Sequence, residues 1–61
     1  MREWLKEIRL SKHMTQNEIA EKAELSQNYY ANIENGKRRP AVETAKAIAG
    51  VLNFDWQRFY E

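Results

Sequence analysis

A chain of 61 residues is expected to form one small domain, close to the lower size at which a hydrophobic core is stable unaided. It has no cysteine and one histidine, which excludes disulfide staples, thiolate zinc sites and multi-histidine metal centres. The net charge is only +1, so overall charge by itself points to no polyanionic partner.

The amino-terminal MREWLKEIRLSK interleaves charges with apolar residues, unlike a secretory signal, and nothing approaches the length of a membrane span. A cytoplasmic protein is therefore expected. No segment alternates with period two over five or more residues, so strands are not expected, whereas helical spacing recurs throughout. The first helix is predicted from Arg2 to Lys12, with Trp4, Leu5 and Ile8 on one face and Glu3, Lys6 and Glu7 turned away. The second starts at Thr15, where Thr15-Gln16-Asn17-Glu18 has the form of a capping box, and it buries Ile19, Ala20 and Ala23. Ser26 is the N-cap of a third helix reaching about Glu34, with Tyr30 and Ile33 inward. Asn35-Gly36 ends it, since both residue types tolerate the left-handed conformation. Pro40 marks the entry to a fourth helix, Ala41 to Leu52, whose apolar stripe is Val42, Ala45, Ile48, Ala49 and Leu52. Asp55 can cap a short last helix carrying Trp56, Phe59 and Tyr60.

Between the second and third helices stand only Glu24 and Leu25, a link too short for antiparallel packing. Ala20 lets the two helices cross closely and Leu25 can fill the space beneath the turn. Two short helices joined in this way form a helix-turn-helix unit.

At this point the chain resembles the phage repressor and Cro family of XRE-type regulators. The matching string is TQNEIAEKAELSQNYYANIENGKRRP, Thr15 to Pro40, with Leu5-Lys6-Glu7-Ile8-Arg9 upstream and the fourth helix downstream. The resemblance covers nearly the whole chain and rests on a combination: Thr-Gln opening the second helix, Ala20, Leu25-Ser26, Ile33-Glu34-Asn35-Gly36-Lys37 and Pro40. It implies an all-α, compact five-helix bundle, residues 1–61 forming one DNA-binding domain whose third helix lies in the major groove. On matching positions the base readers are Gln27, Asn28 and Asn32, with Tyr29 beside them placed to pack on a thymine methyl or a sugar. Side-chain amides suit this work, because each offers a donor and an acceptor together, as the N6/N7 edge of adenine requires.

The resemblance also implies that Gln16 clamps a phosphate and braces Gln27. Asn35, Lys37, Arg38 and Arg39 flank the groove on phosphates, one of the two arginines reaching a minor groove. Without that context the run Lys37-Arg38-Arg39 reads simply as a solvated loop. Arg9 and Glu34 are implied to form a structural ion pair between the first helix and the end of the third. Two positions depart from the family pattern: His13 and Glu24 stand where many relatives carry glycine, at sites that often need positive φ.

Trp56 and Tyr60 share a face that a domain this small need not cover, so they are a candidate dimer contact; equally, they can cap the core against Trp4. The expected partners are a double-stranded DNA operator and a second copy of the chain, with no membrane, cofactor, metal or small-molecule ligand. No nucleophile–base pair or glycine-rich phosphate loop is present, so the chain is read as a non-enzymatic transcriptional regulator, of repressor type, in a bacterial or phage setting. The competing reading keeps the fold and makes it a protein-interaction module, such as an antitoxin or antirepressor partner.

Overall fold

The computed structural model describes residues 1–61. It contains α1 (Glu3–Ser11), α2 (Gln16–Lys22), α3 (Gln27–Glu34), α4 (Val42–Leu52) and a closing 3₁₀ segment (Trp56–Tyr60), with no strand. The fifth helix expected from the sequence is thus a 3₁₀ turn, and the α-helices number four. Its five residues are too few for a stable α-helix, and Asp55 Oδ1 accepts from the Gln57 amide at 3.0 Å, which tightens the entry. No helix is long and apolar enough to cross a membrane.

Side-chain capping explains where α2 and α3 begin. Thr15 Oγ1 accepts from the Glu18 amide at 3.1 Å while Glu18 Oε1 accepts from the Thr15 amide at 2.8 Å, so both halves of the capping box are present. Ser26 Oγ accepts from the Tyr29 amide at 3.1 Å and starts α3. The N-cap of α4 is Ala41, which has no side chain able to cap; buried Pro40 precedes it.

All four α-helices end in the same way. A residue with positive φ follows the last turn: His13 (57°), Glu24 (59°), Gly36 (84°) and Asn53 (63°). The next amide then reaches back to a carbonyl five residues earlier: Met14 to Arg9, Leu25 to Ala20, Lys37 to Asn32 and Phe54 to Ala49, at 2.8–3.3 Å. These bonds occupy carbonyls that a helix end leaves unpartnered. Only Gly36 adopts the left-handed conformation without a Cβ penalty; Asn35 stays right-handed.

The core comprises Leu5, Ile19, Ala20, Ala23, Tyr30, Ile33, Ala45, Ile48, Leu52 and Phe59. Each large aliphatic side chain among them contributes roughly 1.5–3 kcal/mol by leaving water. Val42 departs from the expected stripe: lying in the first turn of α4, before the helix reaches the core, it is 46% exposed. Trp4 packs edge-on against Phe54 and Phe59, with ring centroids 5.3 and 5.2 Å away, and ties α1 to the carboxyl-terminal segment. Trp4 therefore takes Phe54 and Phe59 as its ring partners, while Trp56 and Tyr60 pair with each other at 6.1 Å.

Candidate nucleic-acid interface

The cap at Ser26 makes Gln27 the first residue of α3. Tyr30 and Ile33 are fully buried and fix the inward face, so their opposites on the helix face water. Gln27 and Asn28 are exposed on the first turn. Asn28, Asn32 and Asn35, spaced by four and three, form one row of side-chain amides opposite Tyr30; Asn32 is half-buried and Asn35 exposed. Tyr29, half-buried, stands on the flank of α3 rather than in this row.

Gly36 turns the chain back beside α3. The Asn32 carbonyl accepts from both the Lys37 amide (2.9 Å) and the Arg38 amide (3.1 Å), which anchors the basic run next to the amide row. Lys37 is exposed. The Arg38 guanidinium lies 5.2 Å from the centroid of the Tyr29 ring, and that of Arg39 lies 5.0 Å from the Tyr60 ring. The two arginines thus diverge, one toward α3 and the other toward the carboxyl-terminal segment. Tyr60 is itself tied down, donating from its hydroxyl to the Pro40 carbonyl at 2.6 Å, and Lys46 lies over Trp56 at 5.1 Å.

Arg2 is a contributor that the sequence reading missed. Its amide donates to the Glu34 carbonyl at 2.8 Å, and its guanidinium donates to the Ile33 carbonyl at 2.5 Å and the Arg38 carbonyl at 3.1 Å. A cation therefore sits at the negative end of α3 and joins that end to the basic loop. Its partners lie 31 and 36 residues away, so no local pattern could have revealed it.

Beneath α3, Glu34 is 1% exposed and fully partnered. Arg9 forks onto it, Nε to Oε2 at 2.9 Å and Nη2 to Oε1 at 3.1 Å; the Tyr30 hydroxyl donates to Oε2 at 2.9 Å and Gln16 Nε2 to Oε1 at 3.2 Å. Arg9 Nη1 also donates to the Met14 carbonyl. Burial pushes the Glu34 carboxyl up, but donors from Arg9, Tyr30 and Gln16 and the arginine charge outweigh it, holding the group below its ordinary value. Hydrogen bonding to Glu34 in turn raises Arg9 against the opposing effect of burial. Gln16 thus reaches from the start of α2 to the end of α3; its amide donates to Glu34 and not to Gln27, against the brace expected from the sequence. The sequence did hold one signal for this cluster, a tyrosine four residues before the glutamate on one helix, where their side chains are neighbours.

Two short helices in tandem, the second exposing amides beside a basic loop, invite comparison with known proteins. The chain is 49% identical over its full 61 residues, covering 80% of the relative, to YqaF of Bacillus subtilis (strain 168), an uncharacterized HTH-type transcriptional regulator. It is 44% identical over 48 residues to the immunity repressor protein of Bacillus phage phi105, covering 79% of this chain and 33% of that one. It is also 37% identical over 51 residues to the ImmF control region 10 kDa protein of the same phage, covering 84% and 57%. No solved structure gives a significant match. The helix-turn-helix family model matches residues 5–59, from the buried Leu5 of α1 to the buried Phe59 of the 3₁₀ segment, and the chain belongs to that family, in its XRE-type branch.

Proposed function

We propose that this chain is a DNA-binding transcription regulator that represses by laying α3 in the major groove of a double-stranded operator. Family membership and two of the relatives, a transcriptional regulator and an immunity repressor, support DNA-binding regulation. The observation that carries the finer reading is the exposed face of α3: Gln27, Asn28 and Asn32 present side-chain amides while Tyr30 and Ile33 hold the helix down. Such amides pair in bidentate fashion with adenine. In this reading Gln16, Asn35, Lys37, Arg38 and Arg39 meet phosphates, which fix register without reading sequence. The free Gln16 N–H remains available to a phosphate while the other serves Glu34. The chain acts as one binding unit in the cytoplasm of a bacterium or phage host, without a catalytic step, and a second copy covers the symmetric half-site through Trp56 and Tyr60.

The test is Gln27→Ala. Its affinity for a duplex selected by the wild-type chain from a random pool is expected to fall by about 1–3 kcal/mol, with discrimination relaxed at one base pair per half-site. Affinity for a scrambled duplex at the same salt is expected to hold, because no phosphate contact is lost. An equal fall on both duplexes would remove Gln27 from the base readers. No fall on either would remove α3 as the reading element and favour the protein-interaction alternative, an antitoxin or antirepressor partner.

A further inference from the structure

We infer that Tyr29 positions Arg38 for the DNA backbone rather than reading a base. The inference rests on the DNA-binding reading above and assigns a separate task within the same interface.

Three contacts converge on Arg38. Its amide donates to the Asn32 carbonyl at 3.1 Å, and its own carbonyl accepts from Arg2 at 3.1 Å, so the backbone is held on both sides. Its guanidinium lies 5.2 Å from the Tyr29 ring centroid, within the distance at which a cation is drawn to a ring face. Tyr29 is half-buried on the flank of α3, so the platform under the guanidinium belongs to the recognition helix itself.

The contact leaves the useful part of the arginine free. The ring draws the guanidinium by its charge and takes none of its N–H donors, so a phosphate can be gripped by two of them. A free arginine loses rotamer freedom when it grips a phosphate; one already lying on a ring loses less, and binding gains the difference. The hydroxyl of Tyr29 takes no part in this. Arg38 takes one face of the Tyr29 ring, and that face is then closed to a thymine methyl.

The arrangement predicts a specific pattern among variants. Tyr29→Leu keeps bulk and removes the ring; it is expected to weaken binding roughly two- to fivefold on selected duplex and on single-base-pair variants alike, the size of an exposed cation–π contact. Tyr29→Phe keeps the ring and is expected to restore binding. In an Arg38→Ala background Tyr29→Leu is expected to change nothing further. In the free protein, proton NMR should show the Arg38 side-chain methylenes shifted upfield by the ring, the shift surviving in Tyr29→Phe and vanishing in Tyr29→Leu. If Tyr29→Leu fails to fold, Tyr29→Met makes the same test, since it keeps an apolar side chain and gives up the ring, and the same two- to fivefold loss is expected. Several results overturn the inference: no upfield shift in the wild type, Tyr29→Leu or Tyr29→Met binding like the wild type, Tyr29→Leu losing discrimination at a single base pair, or a Tyr29→Leu effect that persists without Arg38. A wild-type chain that selects no duplex from the pool overturns the DNA-binding reading, and this role with it. Selection by the wild type with independent effects at the two positions overturns the positioning role alone.

Discussion

Both carboxylate oxygens of Glu34 are bound inside the protein, and the consequences of changing that residue follow from its partners. Glu34→Gln leaves the Arg9 guanidinium buried without its countercharge, which typically costs about 3–5 kcal/mol. That rivals the whole stability of a domain this small, given roughly 0.05–0.15 kcal/mol per residue. Urea denaturation is therefore expected to find the variant largely unfolded or close to it. The pH dependence has a definite sign. The Glu34 carboxyl is lowered in the folded state, so its contribution is complete above the ordinary glutamate value, about 4.3, and is lost as pH falls through the lowered one. At the other extreme, burial and then the bond to Glu34 raise the Tyr30 phenol, so its contribution holds below about 10 and declines above it, where the unfolded chain loses the proton first. Melting curves between about pH 7 and pH 3 would show the acid limb attributable to Glu34. At this scale the sequence was legible in part. The Arg9–Glu34 pairing came from resemblance, and the inward places of Tyr30 and Ile33 came from spacing. The donors Gln16 and Arg2 stayed hidden because both reach partners on other elements.

Helix beginnings were easier to read than helix ends. Thr15, Ser26 and Asp55 bond to amides two or three residues on, so each cap is contained in a few letters of sequence. The ends need a left-handed residue, and three of the four are not glycine. At His13 and Glu24 only the resemblance announced the need; at Asn53 nothing did, although asparagine tolerates the conformation. Glu24→Gly removes a Cβ penalty of about 1–2 kcal/mol and adds glycine's entropic cost of about 0.5–1 kcal/mol, for a net gain of order 0.5–1 kcal/mol. For a domain of this size the melting temperature is expected to rise by a few degrees, which calorimetry can measure. An unchanged value would show that the turn relieves the strain by other means. Gly36→Ala is the converse case: it is strained at φ +84°, and its new Cβ would lie 3.2 Å from the Met1 nitrogen.

At the scale of the whole molecule, size constrains how DNA can be held. The domain measures 25 × 21 × 20 Å, less than the roughly 34 Å between equivalent major-groove faces one turn apart. In the proposed mode one copy would therefore span a single groove segment, and a two-fold operator would take two copies. Trp56 and Tyr60 are half-buried and carry Lys46 and Arg39 over their rings, which keeps a partly apolar patch next to the basic loop. Trp56→Ala is expected to leave binding to a single half-site intact and to abolish paired occupancy of a palindromic duplex, as read by sedimentation with each DNA. A wild-type chain that loads only one copy on a palindromic duplex, or loads two without help from Trp56, would remove this dimer from the account. The net charge of +1 gave no hint of such an interface, because the acidic residues that balance the basic run are distributed elsewhere.

The left-handed helix ends also bear on how this protein can change through mutation. A glycine at position 13 or 24 acts on the backbone locally, so its benefit is expected to add to the effect of a distant substitution instead of depending on it. Damage to the core or to the Glu34 cluster can thus be offset from afar, by second-site suppressors that touch neither the lesion nor the amide row of α3. Glutamate and glycine codons differ by a single base, histidine and glycine codons by two. In a genetic screen for regained function, position 24 is where such suppressors would surface first.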